Sequence, residues 1–190
     1  MKFRDILKEQ RETLTARWIE QTIATYPEHA RLIFGNVDNR FGNPVGQTIK
    51  TALTGLFDAL VVDGDDESFA EPLDSIVRVR AVQDFSPSEA VSFILYLKIV
   101  VRDTLSQSTL DQNTKGLIEF DEAVDNLMLR AFDTYVNCRE QIFQIRANET
   151  KARYAMLVQR ANKILERDGA GKTNQMTFDE RQKMKGGERS

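Results

Sequence analysis

The sequence predicts an all-α fold: a single helical bundle of about five to seven helices ending in a long C-terminal helix. Three observations carry this. Apolar residues recur at steps of three and four through most of the chain, the period of an amphipathic helix. The 4 prolines and 10 glycines are few and sit at the edges of those periodic segments. No stretch sustains strict apolar/polar alternation rich in Val, Ile and Thr between hairpin turns.

The first helix is expected over 2–25, with Phe3, Ile6, Leu7, Leu14, Trp18, Ile19 and Ile23 near one face. Tyr26-Pro27 ends it, because the residue before a proline disfavours the α region. A short helix over 28–34 leads into a loop, GNVDNRFGN. Asn43 and Pro44 then open a helix as N-cap and first helical residue, where proline's missing donor costs nothing. It runs through Ile49, Leu53, Leu56, Phe57 and Leu60 and stops at Asp63-Gly64. A helix over 67–84 places Phe69, Leu73, Ile76, Val79 and Val82 on one stripe. Ser86-Pro87-Ser88-Glu89 is a capping box, Ser86 and Glu89 satisfying one another's exposed backbone donors, with Phe85 placed to pack beneath. The helix it opens, AVSFILYLKIVVRDTL, is apolar nearly all round and should be the central element.

A polar linker, SQSTLDQNTKG, precedes the longest periodic stretch, 117–165. There Met128, Ala131, Tyr135, Cys138, Ile142 and Ile145 alternate steps of three and four, the spacing of a coiled-coil seam; Glu149 interrupts before Ala152 and Met156 resume it. Two arrangements satisfy this stripe: folding back on its own domain, or pairing with a second chain. A helix so long either bends near Ala147-Asn148 or projects. The last 24 residues hold 4 glycines and one aromatic, too little apolar surface to order themselves. The expected organisation is a helical domain over 1–166 and a disordered polar tail over 167–190.

Composition narrows the function. With 190 residues and 41% apolar content the chain can build one substantial core. A formal net charge of −3 offers no overall basic field for nucleic acid. The charged N-terminus lacks the apolar region of a signal peptide, and the most apolar run, 90–101, falls short of the roughly 20 residues a membrane crossing needs. A lone cysteine, Cys138, forms no disulfide framework and suits a reducing compartment. The expectation is a cytoplasmic protein without membrane insertion.

Sites of chemistry find little support. Gly171-Lys172-Thr173 resembles the end of a phosphate loop, but the first glycine of that motif is replaced by Glu166 and no strand precedes it. Asp63, Asp65 and Asp66 lack the glycine and final glutamate of a calcium loop; Ser68 and Asp74 stand there. The single histidine, His29, has no second histidine or nearby thiol, so neither zinc nor a Cys/His nucleophile is supported. Glu119, Asp121 and Glu122 read as the polar face of a helix. No metal, cofactor or catalytic residue is assigned, and the chain reads as non-enzymatic.

One cluster stands out. Arg78, Arg80, Gln83 and Asp84 crowd the end of the 67–84 helix, and Arg80, four residues after Ile76, falls on or beside the buried stripe. Either Arg80 caps backbone carbonyls at a helix end and pairs with a neighbouring acid such as Asp84, or all four form a polar patch for an anionic ligand or partner.

At RVRAVQDFSPSEAVSFILYLK, FGNPVGQTI and the stretch TYPE at 25–28, the sequence resembles the N-terminal sensor domain of RsbRD-type co-antagonist proteins, regulators that bind the RsbT kinase in bacterial stressosomes. The resemblance covers roughly residues 5–150. It implies an all-helical sensory module akin to the haem-free globin-like domains of other stressosome proteins, here with no STAS domain after the long helix. A haem-binding version would need a histidine late in the fold, and His29 lies at the opposite end. The reading that follows is a regulatory sensor that forms a homodimer through its long helix and acts on a separate effector: a kinase, a STAS protein or a larger complex. A small-molecule-binding protein with a pocket beside 90–101, and a docking subunit using its basic tail, are the alternatives.

Overall fold

The computed structural model describes residues 2–34, 43–62, 66–83 and 85–186, the side chains of 66 and 168–186 excepted. The described residues form eight helices and no strands: α1 (Phe3–Glu9), α2 (Arg11–Ala24), α3 (Glu28–Phe34), α4 (Pro44–Val62), α5 (Asp66–Val82), α6 (Pro87–Thr104), α7 (Gln107–Gln112) and α8 (Thr114–Gly186). The chain is all-α. Its contacts divide it into two units, Met1–Ile142 and Phe143–Ser190.

The first unit holds the core. α2 packs on α6 and α4, and α4 lies along α5. Trp18, fully buried on α2, donates its indole N–H to the Phe93 carbonyl of α6 at 2.6 Å. Asn43 shows why Asn-Pro-x-Gly begins α4. Its Oδ1 accepts from the Gly46 N–H at 2.8 Å, while its Nδ2 donates to the Phe34 carbonyl at 3.0 Å. A Cβ on Gly46 would stand 2.2 Å from that amide, so only glycine leaves the cap room.

Several boundaries differ from the sequence reading. The first helix breaks at Gln10, whose φ/ψ of −94/11 leaves the α region. Neither proline nor glycine marks that break. It turns α1 so that Phe3 meets Phe120 of α8 edge-on at 6.2 Å. The expected linker contains α7, capped by Ser106, whose side chain accepts from the Thr109 N–H. The α5 stripe turns away from Val79 and Val82 to Val77, Arg80 and Ala81; Val82 is 71% exposed. α6 is not surrounded on every side, since Leu95 and Ile99 reach solvent.

α8 departs furthest from expectation. In the first unit, Phe120, Val124, Leu127, Ala131, Tyr135 and Cys138 are buried in the core. Of the expected seam, Ala131, Tyr135 and Cys138 therefore face their own subunit, with Met128 and Ile142 half-buried against it and Ile145 exposed. This part of the stripe folds back and covers the core of its own domain. Through 147–148 the backbone stays helical. It also continues to Gly186, past the expected start of a disordered tail at 167. The stretch 172–185 contains Lys, Gln, Met, Glu and Arg, residues with little helix penalty.

Candidate functional site

α5 ends in the segment RVRAVQ, and its two arginines go opposite ways. Arg78 is exposed; its Nε donates to Asp74 Oδ2 at 2.6 Å, one turn back, and its Nη1 reaches Gln141 Oε1 on α8 at 3.5 Å. Arg80 is fully buried. The four residues read as one patch are therefore not one surface. Gln83 is half-buried with its amide oxygen shielded and unpaired, and Asp84 lies outside the described residues.

The Arg80 guanidinium sits where three helix ends converge. Its Nε donates to the Ala90 carbonyl and its Nη2 to the Glu89 carbonyl, both at 2.9 Å, in the first turn of α6. Nη1 and Nη2 also donate to Thr25 Oγ1, each at 3.2 Å, at the C-terminal cap of α2. Three aromatic rings surround the charge: Phe85 at 4.2 Å, Tyr26 at 5.0 Å and Phe93 at 5.5 Å from ring centroid to Cζ. Tyr26 meets Phe85 edge-on at 5.2 Å, completing the cage. Phe85, expected as a staple beneath α6, instead closes the cage over the arginine.

Among the described residues no carboxylate lies within ion-pair distance of Arg80, although its charge is felt by the Glu89 carboxylate; Asp84, the acid expected to pair with it, lies outside the described residues. A buried charge without a counter-ion is costly unless its donors are met and the local field favours it. Here carbonyls, a hydroxyl and ring faces supply the acceptors. The C-terminal ends of α2 and α5, each carrying partial negative charge, favour the cation, while the N-terminal end of α6 opposes it. The Tyr26 hydroxyl is buried beside this charge. Burial pushes the Tyr26 phenol up, against the pull of the Arg80 charge. Glu89, completing the capping box through Ser86 N–H at 2.8 Å, is held below the usual carboxylate range by its hydrogen bonds from Ser86.

The same segment touches α8. Arg139 Nη1 donates to the Ala81 carbonyl at 3.1 Å, one residue from Arg80, alongside the Arg78–Gln141 contact. Cys138 immediately precedes Arg139 in sequence, its thiol pushed up by burial. The cluster thus ties α2, α5 and α6 together through Arg80 and reaches α8 through its neighbours. Sequence reading missed Thr25, Tyr26, Phe85, Phe93 and Arg139. The available signal was that Tyr26 and Phe85 each flank a helix end next to the arginine-bearing turn.

The model of the RsbT co-antagonist protein rsbRD N-terminal domain matches residues 12–150. The chain belongs to this family. The matched range contains the whole Arg80 cluster and α8 as far as Thr150, so the RsbRD N-terminal domain begins within α2 and ends in the second unit. An uncharacterized protein of Archaeoglobus fulgidus is 24% identical over 148 residues, spanning 77% of this chain and 89% of its own length. No solved structure matches.

Elsewhere, a cavity of ≈ 500 Å³ opens between α1, α4 and α8, lined by Phe3, Leu7, Leu60 and Phe120 beneath Lys2 and Lys115. No residue of 90–101 lines it. Among the described residues no group of acidic, histidine or cysteine side chains is placed to hold a metal, and no helix is long and apolar enough to cross a membrane.

Proposed function

We propose that this RsbRD N-terminal domain is a non-catalytic regulatory module whose helical core sets the packing of α8 and, through α8, acts on a separate effector protein. The observation that carries this is the buried Arg80, its guanidinium held by two carbonyls, a hydroxyl and aromatic ring faces and joined through adjacent backbone to Arg139 of α8. A charge held this way gives the core two competing arrangements: one closed around the guanidinium, and one that offers it water or an anion. A stimulus preferring the second shifts the population, and α5 passes the shift to α8 at Ala81 and Arg78. The family's description names RsbT, which makes an RsbT-type kinase, or a STAS protein that contacts one, the first effector to test.

The coupling is measurable without the effector. In Arg80→Met, a change of similar volume that removes the charge, amide exchange in 135–142 of α8 should change several-fold while α4 stays protected. Exchange along α8 identical to that of the unaltered protein would sink the reading.

A further inference from the structure

From Phe143 to Arg167 every residue is solvent-exposed except Ala147, which is half-buried. Yet this segment has its own apolar pattern, distinct from the stripe that faces the core. Phe143, Ala147, Thr150, Tyr154, Leu157, Ala161 and Ile164 follow one another at alternating steps of four and three. Phe143 is 68% exposed, Tyr154 67%, Leu157 60% and Ile164 58%. Beside this stripe runs a second periodic row: Arg146, Arg153, Arg160 and Arg167, each seven residues after the last. Taking Ala147 as heptad position a, the stripe occupies a and d and all four arginines occupy g. The e positions hold Gln144, Lys151, Val158 and Leu165. Among the described residues none of these arginines is paired with a carboxylate.

We propose that residues 143–167 are a docking strand that pairs, as a left-handed coiled coil, with an acidic amphipathic helix of a different protein. This rests on the reading of α8 as the output element and adds the chemistry of what it meets. The heptad period decides the shape of the partner. A strict seven-residue repeat drifts about 20° per heptad around a straight helix, and only supercoiling against another helix keeps such a stripe in contact. A flat lipid surface sets no such register.

Charge decides against a second copy. In a parallel homodimer each g residue faces an e residue of the neighbouring chain, so Arg146 would meet Lys151 and Arg153 would meet Val158; in an antiparallel one, arginine rows would face each other. Neither arrangement supplies one opposite-charge pair. A partner with Glu or Asp at those flanks supplies four. The balance of the whole segment agrees: residues 143–190 carry 11 basic and 6 acidic side chains, residues 1–142 carry 15 and 23.

The test uses the full chain and a synthetic helix of four heptads with Leu at a and d and Glu at e and g. Fluorescence anisotropy should show binding that weakens about tenfold or more on raising salt from about 0.05 to about 0.5 M, as expected for several solvent-exposed charge pairs. It should also weaken by at least that factor in the triple variant Arg146→Glu, Arg153→Glu, Arg160→Glu, and vanish in Leu157→Asp. A peptide with Lys at e and g should not bind. Equal binding of both peptides, or of neither, overturns the proposal. So does a homodimer in sedimentation that Leu157→Asp abolishes, or retention on phosphatidylserine vesicles that the triple variant abolishes. The changed residues are exposed, so an unchanged thermal midpoint should accompany each variant. Because the amide-exchange test of Arg80→Met involves no peptide, failure of the docking strand and failure of the regulatory reading remain distinguishable.

Discussion

Phe120 and Phe143 lie in the same helix, one 7% exposed and the other 68%. The first is held edge-on against Phe3; the second is part of a periodic apolar row in the unit that begins there. Both sides of that boundary are helical without a break. What differs is the tertiary partner. Within Met1–Ile142, helix formation is stabilised by burial, whereas an isolated segment the length of 143–167 is marginal in water. The regular fold thus ends where its own core ends, and the remaining helix carries a pattern whose partner must come from elsewhere. The predictions below break or sharpen this contrast, beginning where packing is densest.

Arg80→Ala should destabilise the first unit by about 2–5 kcal/mol, the range for emptying a large buried site, read as a lower denaturation midpoint. Arg80→Met should lie within about 1.5 kcal/mol of the unaltered protein, because the buried volume is kept. The gap between the two variants is the informative quantity. Were Met as damaging as Ala, the guanidinium would be a structural tie, and a charge retained for switching would lose its support.

Gly116→Val probes the seat of α8 on α1. A Cβ there would fall 2.3 Å from the Cβ of Phe3, an atom fixed by its own backbone, so α1 must shift. Overpacking of this kind costs about 1–3 kcal/mol. Ser86→Ala removes the hydroxyl that receives the Glu89 N–H at 3.4 Å and should cost about 1 kcal/mol. A thermal scan would rank these below Arg80→Ala.

How much of this was legible in the chain alone depends on whether the signal is local. The Asn43 cap, the Ser86–Glu89 box and the Tyr26-Pro27 stop are local chemistry, and each appears as read. The break at Gln10 was invisible, because tertiary packing of α1 places it rather than any breaker residue. The 128–145 stripe was visible, but its partner was not. A period of three and four fits a core and a coiled coil equally, and burial of Ala131, Tyr135 and Cys138 in the first unit settles it for the core. Arg80 was seen on the buried stripe, while its aromatic cage was not. Phe85 and Phe93 follow Arg80 closely in sequence, but Tyr26 lies two helices earlier, and that separation hides their convergence.

Alkaline titration tests the cage from a second direction. Burial raises the Tyr26 phenol above its ordinary value while the protein is folded. The folded state therefore holds that proton when the unfolded state has released it. Its contribution to stability is full below the ordinary phenol value and is lost as pH climbs through the raised one. Tyr26→Phe should flatten that part of the stability profile in equilibrium denaturation. In Arg80→Met the lowering effect of the charge disappears, so the loss, starting from the same ordinary phenol value, should extend to still higher pH and be larger.

The smallest expected effect falls in the second unit. Tyr154→Asp and Leu157→Asp replace an apolar side chain with a carboxylate, a change that would be ruinous at a buried position. Both side chains are at least 60% exposed, so each change should alter the first unit's unfolding free energy by less than about 0.5 kcal/mol. Leu127→Asp on the same helix, where the native side chain is 2% exposed, should unfold the domain, because a buried carboxylate without a partner costs several kcal/mol. Circular dichroism melts of the three variants measure the contrast directly. If Leu157→Asp lowered the melting temperature of the isolated chain as Leu127→Asp does, the face of 143–167 would already be covered within the protein. The apolar row beside its four arginines would then belong to the fold rather than to a partner.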